Sequence, residues 1–294
     1  MIKVIKKLYV YYLHLLENGG KMELIANNYL KRGIKIIAVL AFFLLVTKPI
    51  YAIDIPDYLR KCVLAIGTKN YDYNESTEER SITRVSRGTG VLIWTDRFIL
   101  VTAKHVVFEN GKVVPNLCFW GNTRDGKEFM YSFSDIQKEY KNIKWIPHSD
   151  PDIDIAASII ILDLEKEDLS FVSLEEEFKN VTDKEIGNDV YCLGYPSGIG
   201  ATKGSNPVLR KGIVAHKDKG SNFFHIDAVV SSGDSGGPVF LYEKKENIRL
   251  LGIVSAFRSF VTSDARVYHS GLGIVFSADC IKDILKSPEF KKTY

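Results

Sequence analysis

Ser235 lies in the stretch SSGDSGGPVF at 231–240, among glycines at 233, 236 and 237 and ahead of Pro238. A serine hydroxyl is a weak nucleophile until a neighbouring base takes its proton. Histidine accepts that proton best near neutral pH. The chain has six histidines. His14 falls in an N-terminal leader, and His148, His216, His225 and His269 sit in loops or at strand edges without a recognisable frame. His105 differs. It occurs in FILVTAKHVV, where the apolar run 98–101 leads into Thr102-Ala103-Lys104 and delivers the imidazole just past a strand end. A third group must orient that ring and stabilise its protonated form. Asp154, in DPDIDIAASIIIL, directly precedes the apolar run 155–162, which would anchor it. Asp150 and Asp152 are nearby competitors in more loop-like surroundings. A hydroxyl nucleophile, a base and an orienting acid together are the parts of acyl transfer.

Other chemistries find little support. GIGATKGS at 198–205 has the flavour of a phosphate loop, but such a loop needs Gly-Lys-Ser/Thr opening a helix. Here the order is Lys203-Gly204-Ser205, with Pro207 following. GTGVLI at 88–93 lacks the third glycine of a dinucleotide fingerprint and leads into a strand. There is no CxxC and no HExxH, so neither a metal nor another cofactor is expected. Cys62, Cys118, Cys192 and Cys280 each sit in or beside an apolar run and read as buried single thiols. Four cysteines also permit three pairings, among which sequence does not choose.

The elements that must hold these residues are strands. After residue 53 short apolar runs alternate with turn residues, as in CVLAIG, GVLIW, DVYCLG, KGIVA, FFHIDAVV, PVFLY, LLGIVSAF and GLGIVF. Many short strands with frequent turn signals indicate a sandwich or barrel. The best helical pattern is ADCIKDILK, ending at Lys286. The polar stretch YDYNESTEERSITRVSR at 71–87 reads as an exposed loop. The acidic stretch around 175–177 marks a linker at 166–186, between a half at 53–165 with His105 and Asp154 and a half at 187–294 with Ser235.

Charge is unevenly placed. The formal net charge is +3, yet 1–52 alone carries eight Lys or Arg against two acids. The rest is slightly acidic, which speaks against a nucleic-acid partner. Lys31, Arg32 and Lys35 precede the apolar run IIAVLAFFLLV at 36–46, and TKPIYA follows. This is the layout of a secretory signal cut after Ala52. Eleven apolar residues are short for a bilayer span, which takes roughly 20. A retained membrane tether through 36–46 stays open as the alternative, since Ile50 is large for its place before the cut. The codons of Gly19-Gly20 can spell a ribosome-binding sequence, and Met22 would then be the true start; a basic extension at 1–21 is the other reading. The expected location is outside the cytoplasm, periplasmic or secreted.

TAKHV, DIA and GDSGGP occur in the order His, Asp, Ser, and that ordered set is far more specific than any one motif. The chain resembles the trypsin-like, chymotrypsin-fold serine proteases, which share this order. GTGVLI, VYCLGYPSG, RKGIVA, IDAVVSSGDSGGP and GLGIVFSADCIKDIL lean toward the HtrA/Deg branch, and the likeness covers roughly 60–286. It implies an all-β fold of two six-stranded Greek-key barrels with a C-terminal helix. It implies a serine endopeptidase with protein or peptide substrates. Ser235 would attack the scissile carbonyl, His105 would carry the proton to the leaving amine, and Asp154 would hold the imidazole tautomer. The backbone N–H groups of Gly233 and Ser235 would form the oxyanion hole. Val229 would line the floor of the primary pocket and Ser255-Ala256-Phe257 one wall, favouring small to medium aliphatic residues. His225 or His269 would instead favour an acidic residue, unless each is a strand histidine bonded to backbone.

Departures from the branch are also plain. Asp234 stands where the HtrA/Deg branch commonly has Asn. In digestive relatives that aspartate pairs with a new N-terminal amine, a role Ile53 would fill after signal cleavage; the alternative is a local partner. Val106 follows His105, so the family's disulfide beside the histidine is missing, and no PDZ domain follows the protease motifs. Two other functional readings stay open. One is a latent or inactive protease-fold module that binds unfolded peptides. The other is an esterase using the same machinery, whereas a lipase-type nucleophile elbow does not fit barrel strands. The oligomeric state is not legible.

Overall fold

The computed structural model of this chain describes residues 57–74, 79–174, 178, 181–182, 185–201, 205–244 and 247–293. The leader at 1–52, its apolar segment 36–46, the alternative start at Met22 and the acidic stretch 175–177 lie outside the described residues. Residues 55–294 form one compact unit.

The first half contributes β1 (Val63–Asn74), β2 (Glu79–Trp94), β3 (Phe98–Thr102), β4 (Phe108–Glu109), β5 (Lys112–Val113), β6 (Leu117–Asn122), β7 (Glu128–Ser132), β8 (Ile146–Pro147), β9 (Ala156–Ile159) and β10 (Val172–Ser173). The second contributes β11 (Asp189–Gly194), β12 (Val208–His216), β13 (Phe223–Asp227), β14 (Pro238–Lys244), β15 (Asn247–Val261) and β16 (Val267–Ser277). The strands β11-β12-β13-β16-β15-β14 close into a six-stranded barrel. Eight of the earlier strands form one sheet in the order β7-β6-β1-β2-β3-β9-β8, with β10 beside β2, and β4 and β5 pair as a separate ribbon. The all-β class, the closed barrel and the C-terminal helix therefore stand. The main sheet of the first half differs from a closed six-stranded barrel: it holds eight strands, and among the described residues its pairing path does not return from β8 to β7.

Sequence pattern explains the strands nearest the site. All of FILVT after Phe98 is buried, so β3 is covered on both faces and reads as a continuous apolar run rather than an alternation. Each buried Leu or Ile there stabilises the fold by roughly 1.5–3 kcal/mol. The run 155–162 is as apolar, but only Ala156–Ile159 pairs as strand β9. Asp154 thus sits two residues ahead of the strand, with Ile155 between them.

Within the stretch 71–87, expected as a loop, residues 71–74 and 79–87 are instead paired strand. β1 and β2 pair continuously from Val63↔Val91 to Asn74↔Glu79, with a bulge between Ile66 and Gly67. Ile82 and Val85 are 54% and 48% exposed, so this part of β2 stands in solvent. The sequence 82–87 shows no period-two alternation, and the pairing here is inherited from the register of the buried end.

Direct bonds tie the second half onto the first. The buried Trp120 indole on β6 donates to Ala201 O at 2.9 Å. Asn122 and Ser205 exchange two bonds of 2.7 Å each. Tyr195, fully buried just past β11, donates to Val63 O at 3.1 Å. The helix Ala278–Lys286 buries Ala278, Cys280, Ile281 and Ile284 in the same core as the first-half strands. Cys62, Cys118, Cys192 and Cys280 are buried thiols outside any disulfide.

Leu100 lies at the centre of β3 with no exposed surface, on the strand that leads to His105. Leu100→Ala should destabilise the protein by about 2–5 kcal/mol through lost burial and a residual cavity. Urea titration should show a lower midpoint with an unchanged slope; an unchanged midpoint would contradict this packing.

Candidate active site

His105 rides on the single helical turn Lys104–Val107, which begins two residues after β3 ends. Buried Val106 and Val107 pin that turn and leave the imidazole half-exposed, its side chain 51% accessible. The Asp154 loop meets it edge on. Lys104 N–H donates to Asp154 O at 3.2 Å, and His105 N–H donates to Asp154 Oδ1 at 2.9 Å. The His105 ring Nδ1 lies 2.6 Å from Asp154 Oδ2. An ionised carboxylate only accepts, so Nδ1 carries the proton and Nε2 presents its lone pair. Ser255, at the start of the outer part of β15, donates its hydroxyl to the same Oδ2 at 2.6 Å.

Burial on its own would push the Asp154 carboxyl up. The His105 ring, the Ser255 hydroxyl and the His105 backbone N–H outweigh it and hold the carboxyl below its ordinary range. Asp154 is therefore an ionised, nearly saturated acceptor that fixes the imidazole from two sides.

Ser235 sits in the turn between the end of β13 and β14. Its hydroxyl donates to Ser255 O at 2.9 Å, not to the His105 ring. Ser255 thereby touches both groups, its side chain on Asp154 and its carbonyl on Ser235. Sequence reasoning named Ser255 only as a pocket wall, because nothing in SAF announces a contact 101 residues away in sequence.

The turn itself is shaped by two glycines. Gly233 has φ +94° and Gly236 φ +87°, the left-handed region that glycine adopts freely. A Cβ on Gly236 would also lie 1.9 Å from Thr89 O. Thr89, in the GTGVLI stretch of β2, clamps this turn. Its N–H donates to Ser235 O at 2.8 Å, and its hydroxyl donates to Gly233 O at 2.7 Å while accepting from Tyr195 N–H at 3.2 Å. On the other side Ser197 N–H donates to Ser232 O at 2.6 Å. In a trans peptide the N–H points opposite to the C=O. The Gly233 N–H is thus turned away from Ser197. Among the described residues neither the Gly233 nor the Ser235 N–H has an acceptor.

Of the residues expected to line the primary pocket, Val229 is 67% exposed and Phe257 40% exposed, and Ala256 is exposed too. The Phe257 ring stacks on His269 at 4.4 Å. His269 is saturated by backbone: Nδ1 accepts from Gly271 N–H at 2.8 Å, so Nε2 donates to Val230 O at 2.7 Å. His225 is buried, with Nε2 accepting from Arg258 at 3.2 Å. Burial and then the Arg258 charge push its pKa down.

The model of the trypsin-like peptidase domain matches residues 88–253, more than half of the chain. No curated protein matches. Among solved structures 343 chains match. One is an HtrA-type protease with a decapeptide, 18% identical at a TM-score of 0.46, over 74% of this chain. The present chain spans 60% of the length of that one.

The Asp154 environment has a measurable consequence. A carboxyl whose folded pKa lies below its unfolded value of about 3.9 adds stability above that value and loses it as pH falls through the folded pKa. The wild-type urea midpoint should fall more steeply between about pH 5 and pH 2 than that of Asp154→Asn. Parallel curves would contradict the inferred environment of Asp154.

Proposed function

Since the chain belongs to the trypsin-like peptidase family, we propose that it is an exported serine endopeptidase working through Ser235, His105 and Asp154. The observation that carries this reading is the 2.6 Å contact of His105 Nδ1 with Asp154 Oδ2, set beside the acceptor-free amides of Gly233 and Ser235.

The chemistry then runs as follows. The Ser235 hydroxyl swings from Ser255 O to His105 Nε2, a rotation between staggered positions. Such contacts commonly tighten only when substrate is bound. His105 takes the proton as Ser235 Oγ attacks the peptide carbonyl. Asp154 stabilises the imidazolium that forms and stays ionised. The Gly233 and Ser235 N–H groups receive the developing oxyanion; one such donor is worth on the order of 10²–10³ in rate. His105 then protonates the leaving amine, and water releases the acyl group by the reverse sequence of proton transfers.

Small to medium aliphatic residues before the cut fit the proposed pocket surface of Val229, Ser255, Ala256 and Phe257. An acidic preference is disfavoured, because both ring nitrogens of His269 are spent on backbone. The bond from Ser235 to Ser255 O favours one second reading, a latent module that binds extended peptides and is not cutting in this state. Substrates in either case are proteins or peptides.

A fluorophosphonate probe separates the two. The purified protein should gain one probe mass on Ser235 and cleave apolar peptides in a library read by mass spectrometry. Ser235→Ala should not label, and His105→Ala should label slower by roughly 10²–10⁴-fold. A folded wild-type protein that neither labels nor cleaves would overturn the peptidase reading and leave the binding module.

A further inference from the structure

Asp234 lies between the two residues whose amides form the proposed oxyanion hole, and it is buried at 4% exposure. A carboxylate so placed must be paired and hydrogen-bonded. Its Oδ2 receives the Ser231 N–H at 2.8 Å and the Ser231 hydroxyl at 3.3 Å. The full charge opposite it is the Arg210 guanidinium, which bonds the same Oδ2. Arg210 projects from β12, where it pairs in register with Cys192 of β11, and its side chain is 21% exposed. Arg210 is thus held by a strand of the closed barrel, and Asp234 by the turn that leads into β14.

Backbone bonds carry the effect of this pair to the amides. Asp234 N–H donates to Ser231 O at 3.0 Å, and Gly237 N–H donates to Asp234 O at 2.9 Å. Gly194 leaves room for the carboxylate, since a Cβ there would stand 2.7 Å from Asp234 Oδ1. The turn from Ser231 to Gly237 is therefore wound around one carboxylate, and its winding sets where the Gly233 and Ser235 N–H groups point.

We propose that Arg210 is a built-in counter-ion that sets this turn, so that the oxyanion amides are positioned without a new N-terminal amine being released by cleavage. The inference rests on the reading of Ser235 as nucleophile. Arg210 is a positioning residue, acting only through Asp234. The guanidinium already meets the charge of this carboxylate, and the oxygen it bonds also accepts two Ser231 donors. Ile53, freed after Ala52, would find no vacant charge to pair with.

Two measurements test this. The first compares fluorophosphonate labelling of the unprocessed full chain in detergent with that of the chain beginning at Ile53. The rates should agree within about twofold, since neither form needs its N-terminus. Labelling of the processed chain alone would overturn the inference and leave the nucleophile reading intact. Labelling of neither would overturn both. The second measurement takes Arg210→Met and Arg210→Lys through peptide hydrolysis. Arg210→Met should lower kcat by on the order of 10²–10³-fold, the scale of a lost oxyanion donor, with KM little changed. Arg210→Lys, which keeps a charge in reach, should recover most of that loss. A folded Arg210→Met with wild-type kcat, or equal losses in both variants, would overturn the role of Arg210. If Arg210→Met does not fold, Arg210→Met/Asp234→Asn removes both charges together. That double variant should fold with a lowered kcat that moving the N-terminus does not alter; wild-type kcat in it would overturn the inference.

Discussion

The structure turns on the hold that Thr89 of β2 has over the loop around Ser235. One residue of the first half donates its N–H to Ser235 O and its hydroxyl to Gly233 O, and takes the Tyr195 N–H on the same oxygen. Thr89 is fully buried, so each of these groups would be costly to leave unpaired. The clamp fixes the nucleophile loop of the barrel to the sheet that carries His105. Gly88 and Gly236 make the close approach feasible, because a Cβ on Gly88 would lie 2.7 Å from Ser235 O and one on Gly236 would strike Thr89 O. Ties further out, from Trp120 to Ala201 and from Asn122 to Ser205, keep the two halves in that register.

Around this clamp stand two aspartates with different duties. Asp154 collects the His105 ring, the His105 N–H and the Ser255 hydroxyl, and remains a partly accessible acceptor that orients a base. Asp234 is deeper and meets a guanidinium, which suits a structural anchor. Both buried carboxyls are met by hydrogen-bond donors, and at Asp154 these outweigh the cost of burial. They differ in what moves. Asp154 has a partner whose charge changes during acyl transfer, whereas Asp234 has a partner whose charge does not. Ser255 links the two regions, bonded to Asp154 by its side chain and to Ser235 by its carbonyl.

Much of this was legible in the sequence because it is local. The motifs around His105, Asp154 and Ser235, the strand runs and the last helix all carry their signal within a few residues. The contacts of Thr89, Ser255 and Arg210 with these motifs were not legible. They are made across 144, 101 and 24 positions, and nothing near each residue marks its partner. GTGVLI drew attention for its glycines, while the threonine between them does the clamping. The pairing of 71–74 with 79–82 was missed for a different reason: the sequence there carries no hydrophobic period to read. The four buried thiols fit the apolar settings of their segments; burial pushes Cys118 up to about 11 and Cys192 up to about 12.

The central claim is that one turn, clamped by Thr89, presents a nucleophile and two converging amides beside an oriented imidazole. A crystal structure of the phosphonylated protein tests it most directly. The account predicts phosphorus on Ser235 Oγ, with a phosphonyl oxygen about 2.7–3.1 Å from both the Gly233 and Ser235 N–H groups. Thr89 should still bond Gly233 O, and His105 Nε2 should face Ser235. An adduct on another residue, or a Ser232 carbonyl turned in toward the phosphorus, would contradict it.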